Sequence, residues 1–128
     1  IIISAIALCF SIVSVNAKPV SKTVKNYNIE SSYIKVSAFC VSIAKGDIDT
    51  VKKLINRGEN INEKSNGMTP VMYAAKFNRT DILKLLIANG ANLKAKSDKG
   101  LTAIKYADLH GAHEAKAIIK EALAKKKK

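Results

Sequence analysis

The sequence predicts an all-α fold, a short α-solenoid of about three helix-turn-helix units joined by hairpin-like turns. The first observation behind this prediction is a repeated interval, since Gly67 and Thr69 recur 33 residues later as Gly100 and Thr102. The second is that residues 65–97 contain one complete unit, with a turn followed by two apolar segments. A repeat period of about 20 to 50 residues is typical of supersecondary units that stack and bury a continuous core between them.

The middle unit contains start and stop signals for two helices. Thr69 stands at an N-cap position, and Pro70 follows at the first helical position, where its missing N–H costs nothing. These two residues predict a short helix over 70–77. A second helix is predicted over 80–89, and Gly90 ends it because glycine readily adopts the left-handed conformation that follows a helix.

The second helices of the three units differ in how much of their surface is apolar. The middle one has a wide apolar arc, whereas the first and third have a single stripe backed by charged residues. A helix with neighbours on both sides is apolar over a wider arc than a helix at the end of an array. The pattern therefore predicts three units and little more, with Leu86 buried at the centre.

Residues 67–92, with the sequence GMTPVMYAAKFNRTDILKLLIANGAN, resemble the ankyrin repeat. The signature of that family is G-x-T-P-L-H-x-A-A-x-x-G-H, followed by L-L-x-x-G-A. The resemblance runs from Ser37 to Leu123. It implies an ankyrin-repeat domain over residues 31–124, with repeats at about 34–64, 65–97 and 98–124.

The chain departs from the ankyrin signature at a few positions. Met72 and Lys105 stand where the family has His, so the resemblance implies that the family's Thr–His hydrogen bond is missing here. Asn78 and Arg79 replace the usual Gly-His pair, and Ala103 replaces the second Pro. These departures bear on how the repeats are held together rather than on the fold class.

The first 17 residues differ from the rest of the chain. Residues 1–15 are almost continuously apolar and uncharged, and small side chains surround a cleavage point after Ala17. A membrane span needs about 20 apolar residues, so the run is short for one. It predicts a signal peptide over residues 1–17 and an exported protein, periplasmic or secreted. An uncleaved membrane anchor remains the alternative. Residues 18–30 are expected to form a flexible lead.

The chain is strongly basic, with 22 basic and 10 acidic residues and a formal net charge of +12. Twenty of the basic residues are lysines, and they are spread along every element. The charge indicates either attraction to acidic partners or simply solubility and composition bias. The basic tail over residues 125–128 is expected to be solvated and to stabilise the end of the last helix through the macrodipole.

The sequence predicts no catalytic residue, no cofactor and no metal site. His110 and His113 lie close together, but zinc needs three or four converging ligands and no third one is near in sequence. Cys40 is the only cysteine after residue 17, so it is expected to be a buried apolar residue rather than half of a disulfide. No hydroxyl nucleophile is accompanied by a recognisable base.

The resemblance to the ankyrin family implies where partners contact the chain. These positions lie at the turn tips and at the ends of the first helices of two consecutive units, and they are Ser65, Asn66, Met68, Lys76, Phe77, Asp98, Lys99, Leu101, Leu109 and His110. Met68, Phe77, Leu101 and Leu109 are the expected apolar anchors. The alternative is that the terminal segments of a short array cover them.

Two functional hypotheses follow from the sequence. The first is an exported ankyrin-repeat module, monomeric, that mediates protein–protein interaction without catalysis and whose partner is another protein, an acidic one. The alternative is a basic polyanion-binding protein, in which lysines and the 125–128 tail hold nucleic acid, an acidic glycan or an anionic lipid surface. The two differ in their response to salt, because polyanion complexes release counterions and weaken steeply as salt rises.

Overall fold

The computed structural model describes residues 36–127. The predicted signal peptide over residues 1–17 and the predicted lead over residues 18–30 lie outside the described residues. Residues 36–127 form six helices and no strand. The helices are α1 (Ala38–Lys45), α2 (Ile48–Asn56), α3 (Pro70–Lys76), α4 (Thr80–Ala88), α5 (Ala103–Leu109) and α6 (His113–Lys125).

The six helices form three helix-turn-helix pairs in two layers. Each of α1, α3 and α5 packs against the helix that follows it in the chain. The inner layer is α1, α3 and α5, stacked in that order, and the outer layer is α2, α4 and α6 in the same order. The prediction of an all-α repeat solenoid is therefore confirmed.

The helix ends occur at the residues that the local sequence signals indicate. Thr69 has extended backbone angles at the N-cap of α3, and Pro70 is its first residue. Residues with a positive φ follow the ends of both helices of the middle unit. Asn78 has a φ of 53° after α3, and Gly90 has a φ of 90° after α4. Two ends differ from the prediction by one residue, since α3 stops at residue 76 and α4 at residue 88.

The last helix extends into the lysine run. α6 ends at Lys125, the first residue of the predicted basic tail. Lys125 Nζ lies 2.7 Å from Glu121 Oε1, one helical turn earlier, in the orientation that stabilises a helix. Residues 121–128 contain no glycine or proline, and lysine is a good helix former, so the helix continues into the lysine run.

The core runs through the whole array. Leu86 is fully buried in α4, as the wide apolar arc of that helix predicts. Ala74 and Ala107 are fully buried in the inner layer, where their small side chains allow α3 and α5 to pack closely. Cys40 is also fully buried, as predicted, and its burial raises the pKa of the thiol.

The middle unit is hydrogen-bonded to both of its neighbours through Asn78 and Arg79, the two residues that depart from the ankyrin signature. Arg79 donates from Nε and Nη2 to the carbonyl oxygen of Ala44 at the end of α1, over 2.9 and 2.7 Å. Asn78 Oδ1 accepts a 3.1 Å hydrogen bond from the backbone N–H of Ala115 in the first turn of α6. Asn78 and Arg79 thus add hydrogen bonds between neighbouring repeats.

Thr69 shows the consequence of the missing His. Its Oγ1 is buried and faces the backbone N–H of Met72 in a capping-box arrangement, but it forms no hydrogen bond of normal geometry with a described residue. The backbone N–H of Thr69 instead points at Met72 Sδ, 3.4 Å away. A buried hydroxyl without a partner destabilises the folded chain, because the desolvation of that group is uncompensated.

None of the helices described between residues 36 and 127 has the length and hydropathy of a membrane-spanning helix.

Candidate functional site

The turn tips and the inner helices α3 and α5 enclose a groove of about 840 Å³, which we call the concave groove. It brings together eight of the ten predicted contact residues. Its lining consists of Asn66, Gly67, Met68, Lys76, Asp98, Lys99, Leu101, Tyr106, Leu109 and His110. Residues separated by more than 40 positions in the sequence therefore meet on one surface.

Backbone hydrogen bonds hold the two turn tips in place. The tip of the middle unit closes on itself through Ser65 and Met68, with N···O distances of 2.8 and 3.2 Å. The N–H of Asp98 donates to the carbonyl oxygen of Gly67 over 2.9 Å and so joins the two tips. Gly67 has a φ of 76°, and a Cβ at this position would lie 2.8 Å from Asp98 Oδ2. The positive φ favours glycine here, and a Cβ would also have to push the Asp98 side chain aside.

The floor of the concave groove is apolar and partly exposed. Leu109, at the end of α5, is 59% exposed and, with Phe77, is one of the two exposed large apolar side chains among residues 36–127. Met68 and Leu101 are half-buried on either side of the tip junction. Tyr106 lies one helical turn before Leu109, and its hydroxyl donates a 3.0 Å hydrogen bond to Ser97 Oγ. The groove therefore offers apolar contact area beside Tyr106, an aromatic residue whose hydroxyl is hydrogen-bonded.

Tyr106 is a lining residue that the sequence-based selection of contact positions missed. It is only 6% exposed, so it does not belong to the exposed positions that the family resemblance implies. The signal that would have found it is the three-residue spacing to Leu109, which places both side chains on one side of a helix.

The charges around the concave groove are mainly positive. Lys76 and Lys99 line it, and the single acidic lining residue, Asp98, forms a 3.1 Å ion pair with Lys64. Close to the groove, Asp108 pairs with Lys116 and, at 3.8 Å, with Lys105. The hydrogen bond from Lys116 is the main cause that lowers the pKa of Asp108. Both carboxylates are thus compensated by lysines of this chain.

Two predicted contact residues lie outside the concave groove. Ser65 Oγ accepts a 2.7 Å hydrogen bond from the N–H of Ser37, and the Ser65 carbonyl oxygen accepts one of 2.8 Å from Tyr73 Oη. Ser65 therefore links the first and second units. Phe77 is 42% exposed at the end of α3, with Lys76 Nζ 5.4 Å from its ring centroid.

The two histidines are exposed on either side of Gly111. His110 lines the concave groove, and His113 is the first residue of α6. Across residues 36–127, no group of three or more His, Cys, Asp or Glu side chains is arranged to hold a metal ion.

Comparison with known proteins gives relatives with the same repeat. Human M-phase phosphoprotein 8 is 41% identical over 69 residues, which are 52% of this chain and 8% of that protein. Dauer abnormal formation protein 25 of Caenorhabditis elegans is 33% identical over 86 residues, which are 66% of this chain and 22% of that protein. Human 2-5A-dependent ribonuclease is 28% identical over 96 residues, 73% of this chain and 12% of that protein. The chain thus spans less than a quarter of each relative.

A solved structure is similar as well. It is a chain from the complex of the predatory endopeptidase Bd0816 from Bdellovibrio bacteriovorus with immunity protein Bd3460. The similarity has a TM-score of 0.64 at 31% sequence identity and covers 67% of this chain and 46% of that chain. The family model described as ankyrin repeats, in three copies, matches residues 37–127. The repeat interval, the stacked helix pairs and this match agree, and the chain belongs to the ankyrin-repeat family.

Proposed function

We propose that this chain is a protein-binding module and that the concave groove is its binding surface. Ankyrin repeats are generally protein–protein interaction modules, and a chain with this fold occurs in a complex between two proteins. The observation that carries the proposal is the convergence of eight expected contact positions on one groove. Covering the exposed part of Leu109 with a partner would be favourable by about 25 cal/mol for each Å² of apolar surface removed from water.

The partner in this proposal is an acidic protein segment with at least one apolar anchor. The anchor contacts Leu109, Leu101 and Met68 on the floor. Acidic side chains beside it pair with Lys76 and Lys99, because the acidic residue of the lining is already paired with Lys64. Such complementarity raises the association rate and disfavours basic competitors.

The proposal assigns binding and not catalysis to the groove. Its lining residues supply apolar area, amide groups and lysines, and they contain no nucleophile paired with a base. The chain acts as a monomer in this proposal, since its charge of +12 opposes self-association.

Export is a further part of the proposal. The apolar, uncharged run over residues 1–15 and the small residues up to Ala17 support a signal peptide that is removed, which would place the chain in the periplasm or outside the cell. Mass spectrometry of the chain isolated from its native cells tests this. An N-terminus at Lys18 supports export, and a chain that retains residues 1–17 in the membrane fraction supports an anchor instead.

Site-specific photo-crosslinking tests the binding surface. A benzophenone amino acid placed at Leu109 should crosslink a protein in native extract, whereas the same group at Ala117 should not. Ala117 is a matched control because it is exposed on α6 and does not line the groove. The captured protein is then purified and its affinity measured. Leu109→Glu should weaken binding at least about tenfold, since it places a carboxylate where an acidic partner docks.

Polyanion binding is a second candidate because Lys125, Lys126 and Lys127 are exposed together at the end of α6. It predicts that heparin or single-stranded DNA binds the chain with a steep salt dependence. Replacing Lys126 and Lys127 with glutamine should lower the slope of log affinity against log salt by about 2 in that case. If Leu109→Glu leaves the purified partner's affinity unchanged while these replacements abolish it, the concave groove is not the binding surface.

A further inference from the structure

A second groove lies on the outer layer of the array, between α4 and α6, and we call it the outer groove. Its volume is about 450 Å³. The floor is apolar and is formed by Ile87 and Ala88 of α4 together with Ile118 and Ala122 of α6. None of the ten predicted contact positions lines it. The outer groove is thus a surface separate from the concave groove and built from different helices.

The rim of the outer groove is positively charged. It consists of Lys84, Glu121, Lys125 and Lys126. Lys125 pairs with Glu121, and this hydrogen bond is the main cause that lowers the pKa of the Glu121 carboxyl, so the two charges compensate each other. Lys84 and Lys126 are exposed and form no ion pair with another described residue. Lys84 also acts electrostatically on Glu121, so the rim, with three lysines and one carboxylate, has an excess of two positive charges beside the apolar floor.

We propose that the outer groove binds an acidic amphipathic helix of a partner protein. Two helices that lie side by side leave a channel into which a third helix packs with its side-chain ridges. The lining residues of α6 and its C-cap run from Ile118 to Lys126, a rise of about 12 Å, which matches about two turns of a bound helix. The apolar stripe of that helix rests on the floor, and its flanking carboxylates pair with Lys84 and Lys126.

A helix fits the outer groove better than a flat anionic surface does. Ile87, Ile118 and Ala122 are only partly exposed, whereas the rim lysines are exposed, so a flat surface contacts the rim without covering the floor. Among the described residues, the exposed large apolar side chains are Phe77 and Leu109, and neither lines this groove. A second copy of this chain is also disfavoured, because it brings like charges together at a net charge of +12.

Fluorescence anisotropy with a designed peptide tests the proposal. The probe is a labelled helical peptide of about 14 residues, with leucines at i, i+3, i+4 and i+7 and glutamates on its flanks. Its reference is a scrambled peptide of the same composition. The amphipathic peptide should bind the chain about tenfold more tightly than the scrambled one, because only it presents a continuous apolar stripe.

Two pairs of variants separate the groove from general electrostatics. Reversing Lys84 and Lys126 to glutamate should weaken binding about tenfold. Reversing Lys52 and Lys53 changes the net charge equally, but these residues lie on α2, away from the groove, and should have less than about a twofold effect. Ala88→Gln inserts a polar side chain into the floor and should weaken binding about fivefold, while Ala117→Gln on the exposed part of α6 should not.

Specific outcomes overturn the proposal. Equal binding of the amphipathic and scrambled peptides, or equal losses from the two lysine reversals, would show that the chain attracts acidic polymers through its overall charge. Absence of peptide binding, or binding that Ala88→Gln leaves unchanged, would show that the outer groove does not seat a helix. Peptide affinity should be unaffected by Leu109→Glu, so failure here and failure of the concave-groove proposal remain distinguishable.

Discussion

Replacing Leu86 with alanine tests whether the middle unit is packed between two neighbours. Leu86 is fully buried in α4, which packs against α2, α3 and α6. Removing three buried carbon atoms at about 0.8 kcal/mol each lowers the free energy of unfolding by about 2.4 kcal/mol. A residual cavity of about 50 Å³ adds about 1.2 kcal/mol at about 24 cal/mol per Å³. The expected loss is therefore about 3.6 kcal/mol, a large share of the stability of a small domain.

Urea unfolding followed by helical circular dichroism measures this loss. The midpoint of Leu86→Ala should fall while the slope of the free energy against urea stays the same, which indicates a change in stability alone. Leu109→Ala is the matched control, because that leucine is 59% exposed and its truncation should cost less than about 0.5 kcal/mol. A loss below about 0.5 kcal/mol for Leu86→Ala would place this residue at the surface and refute the stacking of three units.

Three further predictions use the same unfolding assay. Thr69→Val should stabilise the chain by about 1 kcal/mol, because it removes a buried hydroxyl without a partner, whereas Thr102→Val, at a more exposed position, should not. Arg79→Ala should cost about 1.5–3 kcal/mol, because the Ala44 carbonyl oxygen loses a charged donor, and a cost near zero would show that this bond contributes nothing. Asp47, Asp108 and Glu121 all have lowered pKa values in the folded chain, caused mainly by hydrogen bonds from Thr50, Lys116 and Lys125. Their stabilising effect is complete above the unfolded-state pKa of about 4 and is lost as pH falls through the lowered values, so Asp108→Asn should reduce the acid-induced fall in melting temperature.

The sequence predicted the elements because the signals for them are local. Thr69 and Pro70 mark the start of α3 within two residues, and Gly90 marks the end of α4 within one turn. Burial of Leu86 followed from the width of one apolar arc. In each case the residues that determine the helix end or the burial lie within a few positions of it. The local sequence pattern is therefore sufficient to predict these features.

The sequence did not predict the contacts between units. Arg79 reaches Ala44 across 35 positions, and Asn78 reaches Ala115 across 37. Both residues appeared only as departures from a signature, since sequence reasoning has no means of telling which backbone group in a neighbouring unit lies opposite a given side chain. The stacking of the repeats determines which groups lie opposite each other, and it brings Asn78 and Arg79 within hydrogen-bonding distance of the neighbouring repeats.

The same distinction explains which residues are free to bind a partner. The turn tips that form the concave groove are joined by backbone groups, such as the Asp98 N–H and the Gly67 carbonyl oxygen, so the fold makes little demand on the side chains there. Lys99, which is exposed, can therefore vary without loss of the array, whereas Met68 and Leu101 also pack against the core. Ser65 is a further exception, because its hydroxyl accepts a hydrogen bond from the first unit. Its absence from the groove follows from that structural role, since a side chain that holds two repeats together is not available to a partner.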